Sequence, residues 1–214
     1  MSRGIRLALF AALIVVLSPA FAPQLLAFPS VVRSNGDTVY SVAPIDQGAL
    51  DRVTARANAL VLASPLAAAS EPRKIFLTDG GWRWMWLAAN QSSSLAISRP
   101  LSEAIVINRS DPGADRMNSA FGLRTLSSII AHEKCHGLER RAFGLSSDFG
   151  KPGWLREGYC DHVAQESTLT DAQAHQLQQA GQKPRALIYW EGRKRVESAL
   201  AANQNDVRAL FAAY

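Results

Sequence analysis

The 214-residue chain has no internal repeat, no low-complexity segment and no long run of charge of one sign. Its formal net charge is +5, but the longest basic run is the triplet from Arg193 to Arg195. Dispersed basic residues do not form the concentrated patch that is typical of a nucleic-acid-binding surface. With 48% hydrophobic and 19% charged residues, the composition also excludes a disordered chain. We therefore expect a folded protein without a nucleic-acid partner.

Long apolar runs are absent except at the amino terminus. Arg3 and Arg6 precede an unbroken apolar run over residues 7–17, and the next charged residue is Arg33. This order is typical of a signal peptide or a membrane anchor. We assign residues 1–29 to such a segment and residues 30–214, which have the length of a single domain, to one exported domain.

The fate of this segment decides the location of the protein. Ala20-Phe21-Ala22 fits cleavage by signal peptidase, although Pro23 is a poor residue directly after that site. Without cleavage, residues 7–28 are long enough to cross a bilayer, and Pro19 and Pro23 would kink or end that helix. We expect either an inner-membrane anchor with the domain facing the periplasm or exterior, or a periplasmic or secreted protein.

Histidine is scarce, with four in the chain, yet two of them lie in His132-Glu133-Lys134-Cys135-His136. The H-E-x-x-H spacing on a helix directs two imidazoles to one zinc ion and places the glutamate as a general base. Apolar residues with helical spacing precede the motif, so the ligands extend an inward-facing stripe. The basic side chains of this helix are expected to face outward; these are Lys134, Arg140 and Arg141.

A third ligand is available in residues 152–161, which begin with a Pro-Gly turn signal and continue with a helical pattern. Glu157 is the candidate. Asp161 lies four residues later on the same helix face, where its carboxylate can accept the free ring N–H of a zinc-bound histidine. His162 points about 140° away from Glu157 on an ideal helix, and His175 lies in a polar run, so neither enters the predicted site.

The H-E-x-x-H motif, followed downstream by Trp154-Leu155-Arg156-Glu157-Gly158, resembles the gluzincin metallopeptidases of the MA clan, which include thermolysin-like and M1-aminopeptidase-like enzymes. The resemblance covers residues 129–164. It implies one Zn²⁺ per chain held by His132, His136 and Glu157, with Glu133 as the general base and Asp161 as the orienting carboxylate. It also implies hydrolysis of a peptide or protein substrate, held beside the zinc by an edge strand from residues 95–98 or 104–108.

Two related families fit less well. The Gly-x-Met-Glu-Asn segment with which M1 aminopeptidases hold a substrate amino terminus is absent upstream of the motif. The metzincin pattern requires a glycine and a histidine where this chain has Glu139 and Ala142. A small gluzincin-like enzyme is the remaining description. The sequence does not decide which residue would stabilise the oxyanion; the candidates are Tyr159, Tyr189 and Arg193.

Two other functions are compatible with the same residues. A zinc amidase or esterase would use the same water chemistry on a non-peptide substrate. A non-catalytic, membrane-associated interaction or structural domain would keep a vestigial zinc site that ties the two motif helices together. Structural zinc sites normally have four protein ligands, whereas the sequence offers three, which favours catalysis.

Only two cysteines are present, and both lie in the zinc-binding segments. In an oxidising compartment Cys135 and Cys160 are candidates for a disulfide, since their helices must approach each other to share a metal. The alternative is a pair of buried free thiols. Cys135 as a ligand in place of a histidine is rejected, because Cys135 and His136 point about 100° apart on the helix.

The remaining pattern predicts a single α+β domain with a small, mostly antiparallel sheet packed on the motif helix, followed by a helical C-terminal half. Strands are expected over residues 31–43, with a hairpin at Asn35-Gly36, and over residues 73–77, 95–98 and 104–108. A helix is expected over residues 46–62. The Trp-rich segment 80–86 is expected to pack over the core.

Overall fold

The computed structural model describes residues 3–118 and 124–214. Within them the chain begins with helix α1 (Arg3–Phe21) and a short 3-10 helix (Pro23–Leu26), and continues through the hairpin β1 (Ser30–Ser34) and β2 (Asp37–Ser41). Next come α2 (Gln47–Leu62), β3 (Lys74–Leu77), α3 (Trp82–Ala88), a second 3-10 helix (Ala89–Gln91), β4 (Ala96–Ser98) and β5 (Ile105–Ile107).

The second half of the chain is helical after a two-stranded ribbon of β6 (Ser110–Asp111) and β7 (Arg116–Met117). Helix α4 (Leu126–Phe143) carries the H-E-x-x-H motif, and α5 (Ser147–Gly150) is a single turn. Helix α6 (Gly153–Ala164) carries Glu157, and α7 (Asp171–Gln179), α8 (Arg185–Ala202) and α9 (Val207–Ala212) complete the chain. The predicted α+β class with a helical C-terminal half is therefore confirmed.

The main sheet has five strands in the order β1-β2-β3-β5-β4. Asn35 and Gly36 both have positive φ, as a tight hairpin turn between β1 and β2 requires. The outer pairs β1–β2 and β4–β5 are antiparallel, whereas the inner pairs β2–β3 and β3–β5 are parallel. The sheet is thus mixed rather than mostly antiparallel, because α2 returns the chain to the same end of the sheet between β2 and β3, and the antiparallel strand β4 does so between β3 and β5.

The two faces of the sheet are covered by different helices. One face packs against α2 and α4 in a core that includes Val39, Leu50, Ile75 and Ile130. The other face packs against α3, where Trp84 is buried with Phe76 and Val106. Trp82 and Trp86 are exposed, so the predicted packing of the Trp-rich segment holds for Trp84 alone.

The amino-terminal helix α1 ends at Phe21, and Pro23 begins the short 3-10 helix that follows it. This break lies inside the segment predicted as a signal or anchor, of which Met1 and Ser2 fall outside the described residues. Among the described residues, no helix combines the length and the apolarity of a membrane span.

Candidate metal centre

Helix α4 presents both motif histidines on one buried face. Thr125 caps the helix by accepting a hydrogen bond from the Ser128 N–H, and the helix ends at Gly144, whose φ is positive. His132 and His136 lie one turn apart between these ends, and both are buried. The four-residue spacing on the helix therefore determines how far apart the two imidazoles lie. The packing of α4 against the sheet determines which way they point.

Helix α6 brings Glu157 to the same point. Its Oε2 atom lies 3.3 Å from Nε2 of His132 and 3.6 Å from Nε2 of His136. Leu155, Tyr159 and Cys160 anchor α6 in the core formed with α8 and α9, which leaves Glu157 on the face that meets α4. The three predicted ligands thus converge from two helices.

This arrangement fits a zinc ion. Nitrogen and oxygen atoms bound to tetrahedral zinc at about 2.0–2.2 Å lie about 3.3–3.5 Å from one another. The two nitrogen-to-oxygen distances fall close to that range, so a metal could bind with little rearrangement. Two imidazoles and one carboxylate are also the donor set of hydrolytic zinc sites, which keep a fourth position for water or substrate.

Each histidine has a buried carboxylate behind it. Nδ1 of His132 lies 2.8 Å from Oδ1 of Asp161, which also accepts a hydrogen bond of 2.9 Å from Arg124. Nδ1 of His136 lies 3.1 Å from Oε2 of Glu139. When each Nδ1–H donates to its carboxylate, each Nε2 is left free to bind a metal. Asp161 was predicted in this role; Glu139 was missed, although its position three residues after His136 on one helix was a readable signal.

The pKa values of the three predicted ligands are shifted by one another and by the groups around them. Burial disfavours imidazolium, yet the hydrogen bonds from His132 to Asp161 and Glu157 raise the pKa of His132 to about 9. Burial likewise opposes protonation of His136, whose pKa is nevertheless raised by the acidic groups around it, Cys160, Glu157 and Glu139. Burial would raise the pKa of Glu157, but the two histidines hold it well below its ordinary range.

Tyr189 of α8 is the oxyanion candidate on which the charges of both Glu157 and Glu133 act. Burial and the negative charges of Glu157 and Glu133 raise the pKa of Tyr189, which keeps its hydroxyl protonated. The guanidinium of Arg185 lies over its ring, 5.3 Å from the ring centroid. The other two candidates are engaged elsewhere: the Tyr159 hydroxyl bonds Ser64 in the core at 2.7 Å, and Arg193 donates to Glu197 at 2.7 Å.

Two of the three basic residues expected to face outward are buried. Nζ of Lys134 lies 2.8 Å from both carboxylate oxygens of Asp37 and donates to Asn58 and to the Glu71 carbonyl. Arg140 donates to Asp148 at 2.8 Å and to Ser98 at 3.0 Å. Only Arg141 is partly exposed. The expectation was wrong because α4 is surrounded by α2, α6 and the sheet, so its polar face is also interior.

The two cysteines are neighbours across α4 and α6. Cys135 and Cys160 are fully buried free thiols, and their sulfur atoms lie within 4.8 Å of each other. The disulfide between them stays a prediction. The two remaining histidines lie elsewhere, His162 beside Glu197 and His175 beside Trp190.

Edge strand β4 of the sheet packs beside α4, the helix that carries the two histidines. Of the two segments expected to hold substrate, β5 is internal, and no strand within residues 3–118 and 124–214 pairs with the outer edge of β4. Leu95 and Arg99 exchange backbone hydrogen bonds with the β5 side, so by alternation the N–H and C=O groups of Ala96 and Ser98 point to the free edge. Arg140 ties this strand to α4 through Ser98.

Comparisons with protein-family models, with curated proteins and with solved structures find no match to this chain.

Proposed function

We propose that this chain is a zinc-dependent hydrolase of the gluzincin type that cleaves peptide bonds. One observation carries the proposal: Nε2 of His132, Nε2 of His136 and a carboxylate oxygen of Glu157 converge with spacings that suit one zinc ion. Asp161 and Glu139 support it, because each orients one of the histidines with a buried carboxylate.

Bound here, zinc would polarise the substrate carbonyl and lower the pKa of the attacking water. Glu133, next to His132 on α4, accepts a proton from that water and delivers it to the leaving amine as the C–N bond breaks. Tyr189 donates its hydroxyl hydrogen to the oxygen on which negative charge develops. Its raised pKa suits a donor that stays neutral during the reaction.

A peptide is favoured over other amides or esters by the free edge of β4. An extended peptide lying antiparallel to β4 would exchange backbone hydrogen bonds with Ala96 and Ser98. The small non-peptide substrate of an amidase or esterase would make no use of such an edge.

We further propose that residues 1–29 direct the domain out of the cytoplasm, as a cleaved signal or as an anchor. Retention of the full chain in carbonate-washed membranes would support the anchor. A mature protein that begins at Pro23 would support cleavage instead.

The activity is tested by incubating the zinc-loaded full chain with a mixed peptide library and identifying products by mass spectrometry. We expect cleavage that is lost on chelation and that falls by at least about a hundredfold in Glu133→Gln, which retains zinc. Inhibition of ester or amide hydrolysis by a peptide hydroxamate, with no cleavage of any library peptide, would favour the non-peptide alternative. A zinc-loaded chain that hydrolyses none of these substrates would favour the non-catalytic one.

A further inference from the structure

A second group of metal-binding side chains lies behind His136. It consists of Cys135 and Glu139 on α4 and Cys160 on α6, and all three residues are fully buried. Their sulfur and carboxylate oxygen atoms lie within 4.8 Å of one another. The group shares no ligand atom with the centre formed by His132, His136 and Glu157.

One atom in this group lacks a partner. Oε2 of Glu139 lies 3.1 Å from Nδ1 of His136, but Oε1 is buried and has no hydrogen-bond partner among the described residues. No lysine or arginine in the described parts of the chain forms an ion pair with Glu139. A buried, unpaired carboxylate oxygen is costly, so its retention points to a cation or donor that completes the site.

We propose that Cys135, Cys160 and Oε1 of Glu139 form a second metal site, which binds a thiophilic divalent ion such as zinc. Thiolate sulfur is a preferred donor for zinc, with metal–sulfur distances of about 2.3 Å. Ligands at such distances lie roughly 3.5–4 Å apart, so atoms up to 4.8 Å apart must approach by up to about 1.3 Å. Each thiol releases its proton to the buffer as its metal–sulfur bond forms.

A metal ion would give a partner to all three side chains of the group, whereas a disulfide would engage only two of them. A Cys135–Cys160 bridge would use both sulfur atoms and leave Oε1 of Glu139 without a partner. A metal ion engages all three side chains and gives Oε1 a cationic partner, while the other carboxylate oxygen still orients His136. Such a site would tie α4 to α6, the two helices that hold His132, His136 and Glu157.

The experiment is a cobalt titration of the full chain, stripped of metal and kept reduced by a phosphine. Equilibrium dialysis gives the number of bound ions, and near-ultraviolet thiolate-to-cobalt charge-transfer absorption reports sulfur ligation. We expect two ions and the absorption band in the wild type. Glu157→Gln should retain one ion and the band, whereas the Cys135→Ser/Cys160→Ser variant should retain one ion and lose the band.

A wild-type chain that binds one ion without the band overturns the second site and leaves the proposed hydrolase centre intact. One ion with the band, unchanged in Glu157→Gln, upholds the second site and removes support from the hydrolase centre instead. A measurement on Glu157→Gln covers the case in which the double variant does not fold. After the phosphine is removed, cobalt should slow the reaction of the two thiols of Glu157→Gln with an aromatic disulfide reagent by at least tenfold, and an unchanged rate overturns the proposal.

Discussion

Gly158 of α6 packs directly against the backbone of Gly192 in α8, so closely that a methyl group on Gly158 would overlap the Gly192 carbonyl carbon. In return, a methyl group on Gly192 would lie 2.6 Å from the Trp154 carbonyl oxygen. Close contact of the two helices brings Tyr189, three residues before Gly192, into the field of Glu157, which directly precedes Gly158. The glycine in the Glu157-Gly158 pair therefore has a packing role beside the predicted ligand.

Replacing Gly158 with alanine should force α6 and α8 apart. Because the new methyl group meets backbone rather than a flexible side chain, we expect a loss of about 1–3 kcal/mol in the free energy of unfolding. Zinc affinity should also fall, since Glu157 moves with α6. Chemical denaturation and zinc titration measure the two effects.

Gly153→Ala is the matched control on the same helix. An added Cβ at Gly153 meets nothing within 4 Å, so the change in stability should stay within about 0.5 kcal/mol. Equal stability of the Gly158→Ala and Gly153→Ala variants would show that the close helix contact is wrong.

Removing the carboxylate that orients His132 should weaken zinc binding at the proposed hydrolase centre. Asp161→Asn leaves His132 and His136 in place but weakens the acceptor at Nδ1 of His132. We expect this variant to lose about 10–100-fold in zinc affinity, measured by competition with a chelator. Asp171→Asn, on an exposed carboxylate of α7, is the control and should bind zinc as the wild type does. Wild-type affinity in Asp161→Asn would contradict the role of that residue.

The metal-free protein should lose stability as the pH rises from about 6.5 to about 9. The folded-state pKa of His132 is raised from 6.5 to about 9, so its protonated form stabilises the fold below pH 6.5. That contribution is lost as the pH rises through 9. Zinc requires neutral imidazole, so zinc affinity should rise over the same window.

Melting temperatures of the metal-free chain at pH 6.5 and pH 9 test this linkage. His132→Ala should reduce the difference, whereas His175→Ala, which removes an exposed histidine on α7, should preserve it. A metal-free melting temperature that is constant or rises between these pH values would rule out the proposed protonation.

The buried ion pair between Lys134 and Asp37 should matter far more than a surface pair. Lys134→Met removes one partner and leaves the fully buried Asp37 carboxylate without its cation, which we expect to cost about 3–5 kcal/mol. Lys194→Met breaks the pair with Asp171, whose side chains are 45% and 66% exposed, and should cost less than about 1 kcal/mol. Urea unfolding of both variants gives the comparison, and similar losses would contradict it.

Sequence patterns predicted the structural features that depend on residues close together in the chain. The hairpin turn at Asn35-Gly36 and the helix predicted over residues 46–62 are both present, because a turn dipeptide or a helical period acts on adjacent residues. The positions of Glu157 and Asp161 relative to each other follow from a four-residue spacing on one helix. The strands of the main sheet also lie where the sequence placed them.

Contacts between residues that are far apart in the sequence could not be predicted from local sequence patterns. Lys134 can be buried because Asp37, 97 residues earlier in the chain, supplies its counter-charge. The sequence of the motif helix does not indicate that partner. The parallel pairing of β2, β3 and β5 likewise depends on how α2 packs and on which edge β4 joins. The contact of Gly158 with Gly192 joins α6 and α8, and the sequence of neither helix alone predicts that the two pack together.

We propose that His132, His136 and Glu157 hold one zinc ion. The most direct test is equilibrium dialysis of the reduced full chain and of Glu157→Gln against buffered free zinc, with metal counted by mass spectrometry. We expect one zinc fewer per chain in the variant, at a zinc concentration that saturates the wild type. Equal zinc in both proteins, with both folded by circular dichroism, would contradict it.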